Sequence, residues 1–140
     1  AMLLQLGVMP SELEDAVQRV ATALQSTLND ERGRWIVESQ HHDARCEYAL
    51  SGLIQGKLTS IIIDRTFVDA QGIRWIIDYK TGSHEGGDIN AFLDNEQNRY
   101  RGQLEKYAAL MQQWDKTHAI QLGLYFPLIG GWREWSYCSG

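Results

Sequence analysis

The chain has 140 residues, 44% of them hydrophobic and 22% charged, with a net charge of −5. That length suits one domain with its own core, and the composition excludes a disordered segment and a protein that coats polyanions through clustered basic residues. Two distant cysteines, Cys46 and Cys138, exclude a disulfide-dense scaffold and a four-cysteine zinc or iron–sulfur site built from this chain alone.

Residues 1–9 form a short apolar lead-in. Ser11 and Glu14 then have capping-box spacing behind Pro10. Leu13, Val17, Val20 and Leu24 recur at helical intervals, Leu28 extends the stripe, and its expected role is packing. Asn29 and Asp30 offer a stop and a new cap before one or two further turns over 31–37. From Ala44 the period drops to two: Cys46, Tyr48 and Leu50 alternate with Arg45, Glu47 and Ala49, which predicts a strand. Lys57 to Val68 predicts a second strand and Ile73 to Lys80 a third. The turn signal Asp69-Ala70-Gln71-Gly72 between them implies an antiparallel hairpin.

Residues 81–98 are rich in Gly, Ser, Asp and Asn and read as a long loop, acidic through Glu85, Asp88, Asp94 and Glu96, with His84 exposed in it. Helical spacing returns at Tyr100, Leu104, Tyr107, Ala108 and Met111 and ends near Trp114. His118 to Phe126 and Trp132 to Tyr137 read as two final strands, the last at an edge, while Trp35, Trp75 and Trp114 are expected in packing. This order predicts an α/β or α+β domain, a sheet with helices on its faces. No apolar run approaches the ~20 residues of a membrane span and no signal peptide opens the chain, so the expected home is the reducing cytoplasm.

The sharpest feature is Asp64, Asp78 and Lys80. Asp78 and Lys80 are two apart on one strand, so their side chains leave the same face and Tyr79 leaves the other. A three-residue loop at 70–72 with Gly72 left-handed pairs Asp69 with Ile73 and sets Asp64 opposite Asp78. Directly opposed residues have Cβ atoms ~4.5–5.5 Å apart. Two carboxylates that close repel, and a divalent ion between them removes the conflict. Mg²⁺ commonly takes one or two carboxylates and completes its shell with water or phosphate. Lys80 beside such a site suits phosphodiester hydrolysis, by orienting groups or stabilising charge. The competing reading is a surface strand with a cross-strand ion pair. Gln103 and Tyr107 share one helical face after the loop; they offer contacts to a phosphate or a water, or simply form a helix edge.

Taken together, Ile63-Asp64-Arg65, Ile76-Ile77-Asp78-Tyr79-Lys80-Thr81-Gly82 and Gln103-Leu104-Glu105-Lys106-Tyr107 resemble the RecB-type nuclease domain of the PD-(D/E)XK superfamily. Such domains often form the C-terminal part of UvrD/RecB-like helicase–nucleases. The resemblance runs from about Glu47 to Trp114. It implies a restriction-endonuclease-like α/β core, a central mixed sheet flanked by helices. It also implies metal-dependent hydrolysis of DNA within an ATP-dependent helicase–exonuclease of recombination and repair. By the same resemblance, Asp64, Asp78 and the backbone carbonyl of Tyr79 would hold Mg²⁺ or Mn²⁺, and Lys80 would be the catalytic lysine. Gln103 and Tyr107 would match the Q-x-x-x-Y motif by the DNA path, and Glu47 is a further acidic candidate. The partners implied are single-stranded DNA ends and a helicase domain of the same parent chain, with no membrane; the two-cysteine count separates the chain from relatives with an iron–sulfur cluster.

The family's Gly-x-x-His helix has no match before Glu47; His41 and His42 stand in a loop-like Gln-His-His-Asp run. The expectation is a single nuclease domain over 1–140 that begins downstream of that helix in a longer protein. Arg65, Arg74, Arg99, Arg101 and Lys106 are the candidate phosphate contacts, and Trp132, Trp135 and Tyr137 candidate base-stacking or packing rings. The competing function is a non-catalytic nuclease-fold module that binds DNA or a helicase partner, which the acidic charge and the absent histidine favour.

Overall fold

Two tight turns fix the first half of the molecule. In the computed structural model, which describes residues 10–38, 40–82 and 86–138, strand β1 (His42–Ile54) meets β2 (Lys57–Val68) across Gln55 and Gly56. Both turn residues have positive φ, 51° and 76°, as a two-residue hairpin with right-handed twist requires. The second turn leads from β2 to β3 (Arg74–Tyr79) through Gly72 at φ 79°. The Asp69 carboxylate organises it, accepting from the backbone N–H groups of Gln71 and Ile73 and from Trp75 Nε1 at 2.8–3.0 Å. The Asp69 N–H donates to Ile73 O at 2.9 Å, which is the pairing the sequence predicts. The ladder runs from Val68–Arg74 to Arg65–Ile77.

Helix α3 (Ile89–Trp114) corrects the expected loop: the helix starts eleven residues before Tyr100, capped by Asp88, whose side chain accepts from the Asn90 N–H. Ile89, Phe92, Leu93 and Glu96 already have helical spacing, but the interleaved Asn90, Asp94 and Asn95 hide it. Leu93 is buried, and Phe92 packs edge-on against Phe126. His84 and Glu85 lie outside the described residues, as do residues 1–9.

Strands β3 and β4 (Ile120–Phe126) pair in parallel, a geometry that needs a long crossover, and α3 provides it. Strand β5 (Gly131–Ser136) closes an antiparallel edge, giving a five-stranded mixed sheet in the order β1-β2-β3-β4-β5. One core layer lies between the sheet and α3, with Leu50, Ile61, Ile63, Ile76, Leu104, Leu122, Leu124 and Phe126. The other lies on the opposite face, where Phe67, Trp75, Ile77 and Tyr125 pack with Ile36 of helix α2 (Glu31–Val37). This is the predicted α/β architecture, a mixed sheet with flanking helices.

Helix α1 (Pro10–Asn29) differs from expectation in two ways. Ser11 lies within the described helix rather than at its cap. Its apolar stripe is not packed: Val17, Val20, Leu24 and Leu28 are all exposed, although α1 lies against α2. Trp114 departs likewise. Its ring is 68% exposed, and its Nε1 donates to Ser51 O at 3.2 Å.

Candidate functional site

Strand β3 is buried on both faces from Arg74 to Asp78 and carries charge at each end. At its C-terminal end, one residue beyond the Arg65–Ile77 pair, Asp64 stands opposite Asp78. Here β2 leaves β3. The Asp64 carboxylate replaces the next ladder bond by accepting the Tyr79 N–H at 2.9 Å through Oδ2. Strand β4 stays alongside, with the Lys80 N–H donating to Tyr125 O at 2.9 Å. The two-residue alternation of β2 is reset at the same point: Ile63 packs in the α3 layer, whereas Arg65 is drawn under α2. Across β1, Glu47 falls opposite Asp64, between the pairs Cys46–Arg65 and Tyr48–Ile63, with φ at +49°.

Asp78 is 6% exposed. Burial pushes its carboxyl up to about 6, and the facing Asp64 carboxylate adds to the rise while Lys80 opposes it. Lys80 Nζ lies 2.6 Å from Asp78 Oδ2. It approaches off the hydrogen-bonding directions, however, so that buried oxygen has no well-formed hydrogen bond. The Lys80 ammonium also sits 3.8 Å from the centroid of the Tyr100 ring, on α3. The Tyr79 ring points to the other face, toward Tyr125, and burial raises its hydroxyl to about 12.

A buried carboxylate oxygen without a good donor, beside a second carboxylate, is a hard-oxygen pair suited to a divalent cation. Among the described residues no group of three or more His, Cys, Asp or Glu side chains could hold a metal. Two carboxylates with waters suit Mg²⁺; they do not make an all-protein cage.

A family profile described as the PD-(D/E)XK nuclease superfamily matches residues 3–130. The chain belongs to that superfamily. A solved structure described as "Crystal structure of SSO0001" is similar with a TM-score of 0.44 at 18% identity, over 94% of this chain and 54% of that one. This chain thus spans about half the length of that structure. The search of curated proteins finds no match.

Within this PD-(D/E)XK domain the remaining candidates are dispersed. Gln103 donates to the Tyr107 hydroxyl at 2.6 Å. The pair lines a groove of about 810 Å³ with Lys106 of α3 and Ser51, Ser60 and Ile62 of the hairpin. Arg65 is not a phosphate contact. It is 6% exposed and donates to the carbonyls of Ile36 and Glu38 at the end of α2, and to Cys46 Sγ. Arg74 is likewise buried, held by Asp43 and Asp115. Arg99 is exposed, 3.8 Å from Glu96, and Arg101 rests over Trp135 at 5.2 Å. Trp132 and Trp135 pack against the two core layers. Tyr100, whose helical spacing predicts packing, is a direct neighbour of Lys80; its spacing of three from Gln103 places it on the same side of the helix.

Proposed function

We propose that this chain is a divalent-metal-dependent deoxyribonuclease whose site is Asp64, Asp78 and Lys80. The observation that carries the reading is the convergence of two carboxylates and an ammonium where β2 leaves β3, with Asp78 Oδ2 lacking a well-formed hydrogen bond. Asp64 and Asp78 would hold Mg²⁺ or Mn²⁺, with the Tyr79 carbonyl as the further ligand that the family pattern suggests. When bound, the ion supplies Lewis acidity and an acidified water. The chain's own residues do the rest. Asp78 and Asp64 would present their carboxylate oxygens to the ion from the adjoining strand ends. Lys80 presents positive charge to the phosphate as charge builds on its oxygens. Gln103, Lys106 and Tyr107 line the groove along which a strand would run, and Arg99 adds charge on the exposed side of α3, with Arg101 half-buried over Trp135.

Single-stranded DNA ends fit this reading best, delivered by a helicase domain of a longer parent chain in recombination and repair. The family pattern supports this substrate and parent. A non-catalytic DNA- or helicase-binding module is the second reading, favoured by the net charge of −5 and by the two-carboxylate donor set. Nicking of labelled single-stranded DNA in Mg²⁺ or Mn²⁺ separates them. Catalysis predicts cleavage that Asp78→Asn and Lys80→Ala each remove with DNA binding retained. Binding without cleavage by the wild type would leave the module.

A further inference from the structure

We propose that Tyr100 positions Lys80, its ring face holding the ammonium in place at the site; the proposal rests on the nuclease reading above. The Lys80 ammonium has two attractive partners. One is Asp78 Oδ2 at 2.6 Å, the other the Tyr100 ring at 3.8 Å. The first is compromised by the chemistry assigned to it. Asp78 is the carboxylate offered to a divalent ion, and a dication competes with the ammonium for the same oxygen. An ammonium that relied on Asp78 alone would be loosened at the moment it is needed. The ring attraction uses the π face instead, which a hard oxygen-seeking cation does not take.

The ring is well placed to be a fixed wall. Tyr100 is partly buried against the α3-side core, one turn from fully buried Leu104, on a helix capped by Asp88. Lys80 keeps 21% of its side chain exposed, so without the ring its four-carbon stem would be free to leave toward solvent. The Arg99 guanidinium lies 5.1 Å from the same ring but is 69% exposed, so its contact is screened. The attraction needs the aromatic face, not the hydroxyl, so phenylalanine should replace tyrosine and leucine should not.

The test uses the whole chain and reads the lysine directly. With side-chain NMR assigned for all four lysines, the methylene protons next to Lys80 Nζ should lie upfield of the other three through the ring current of Tyr100. They should remain there at saturating Mg²⁺. Tyr100→Phe should keep the displacement, and Tyr100→Leu should return Lys80 to the position of exposed lysines. In DNA cleavage, Tyr100→Leu should lower kcat about tenfold with KM within about twofold, while Tyr100→Phe stays within about twofold of wild type on both. An undisplaced Lys80 in the wild type, its return on adding Mg²⁺, or a phenylalanine variant as impaired as the leucine one would overturn the positioning role. A displaced Lys80 in a wild type that cleaves no DNA would instead overturn the nuclease reading and leave the ring contact standing.

Discussion

The two ends of β3 hold opposite kinds of charge cluster. At the N-terminal end Arg74 donates to Asp43 and Asp115 at 2.8 and 2.9 Å, and Asp115 also meets His118 at 2.9 Å. Burial alone would push the Asp115 carboxyl up, but the bonds from Arg74, His118 and the Thr117 and His118 N–H groups hold it at about 2. At the C-terminal end, four residues on, burial and a facing carboxylate push Asp78 up, and Lys80 does not fully offset them. One strand thus carries a saturated cluster and an unsaturated one. The saturated cluster holds the fold. The unsaturated one stores an electrostatic demand that a cation would meet, which is the usual mark of a site.

The largest expected difference is in stability. Arg74→Ala leaves Asp115 without its main partner and should cost about 3–5 kcal/mol in denaturant unfolding. A loss below about 1 kcal/mol would mean the cluster is not structural. Next is activity. Lys80→Ala should lower cleavage at least about a hundredfold while moving the unfolding midpoint little. Equal damage to folding and cleavage would erase the distinction between the ends.

A smaller effect concerns pH, and the two ends carry opposite signs. The Asp78 pKa is raised in the folded state from 3.8 to about 6, so the native state holds this proton more tightly than the unfolded chain. Stability of the metal-free chain therefore falls as pH rises through that window, and the cost is fully present above it. Asp78→Asn should remove the dependence and stabilise the metal-free protein on the order of 1–2 kcal/mol at pH 8, with little change at pH 4. Asp115, with its pKa lowered from 3.8 to about 2, contributes stability above that window that is lost only as pH falls through it. Urea midpoints of wild type and Asp78→Asn across pH 2–8 check both signs. The smallest effect is at Arg101. Its neutralisation should reduce the salt slope of DNA binding by about one unit, uniformly across sequences.

What the sequence made legible was geometry fixed by short-range rules. The Asp69–Gly72 turn set the β2–β3 register, and the register set Asp64 against Asp78. Residues whose roles depend on distant partners were not legible. Arg65 sits beside Asp64 in the chain, but the break in alternation sends its guanidinium to the end of α2, which no local pattern announces. Arg74 at a strand start looks like a surface cation until Asp43 and Asp115 close over it. The first ten residues of α3 were masked by polar side chains on its outer face, and Tyr100, counted only as part of a helical stripe, gains its meaning from Lys80.

The proposed site has Asp64 and Asp78 holding one cation between them. Calorimetric titration of Mn²⁺ into the wild type, Asp64→Asn and Asp78→Asn at pH 7.5 tests it most directly. One saturable site is expected in the wild type, lost in both variants and weakened as pH falls through about 6, where Asp78 takes up its proton. Binding that survives Asp78→Asn unchanged, or a wild type that takes up no Mn²⁺, would contradict it.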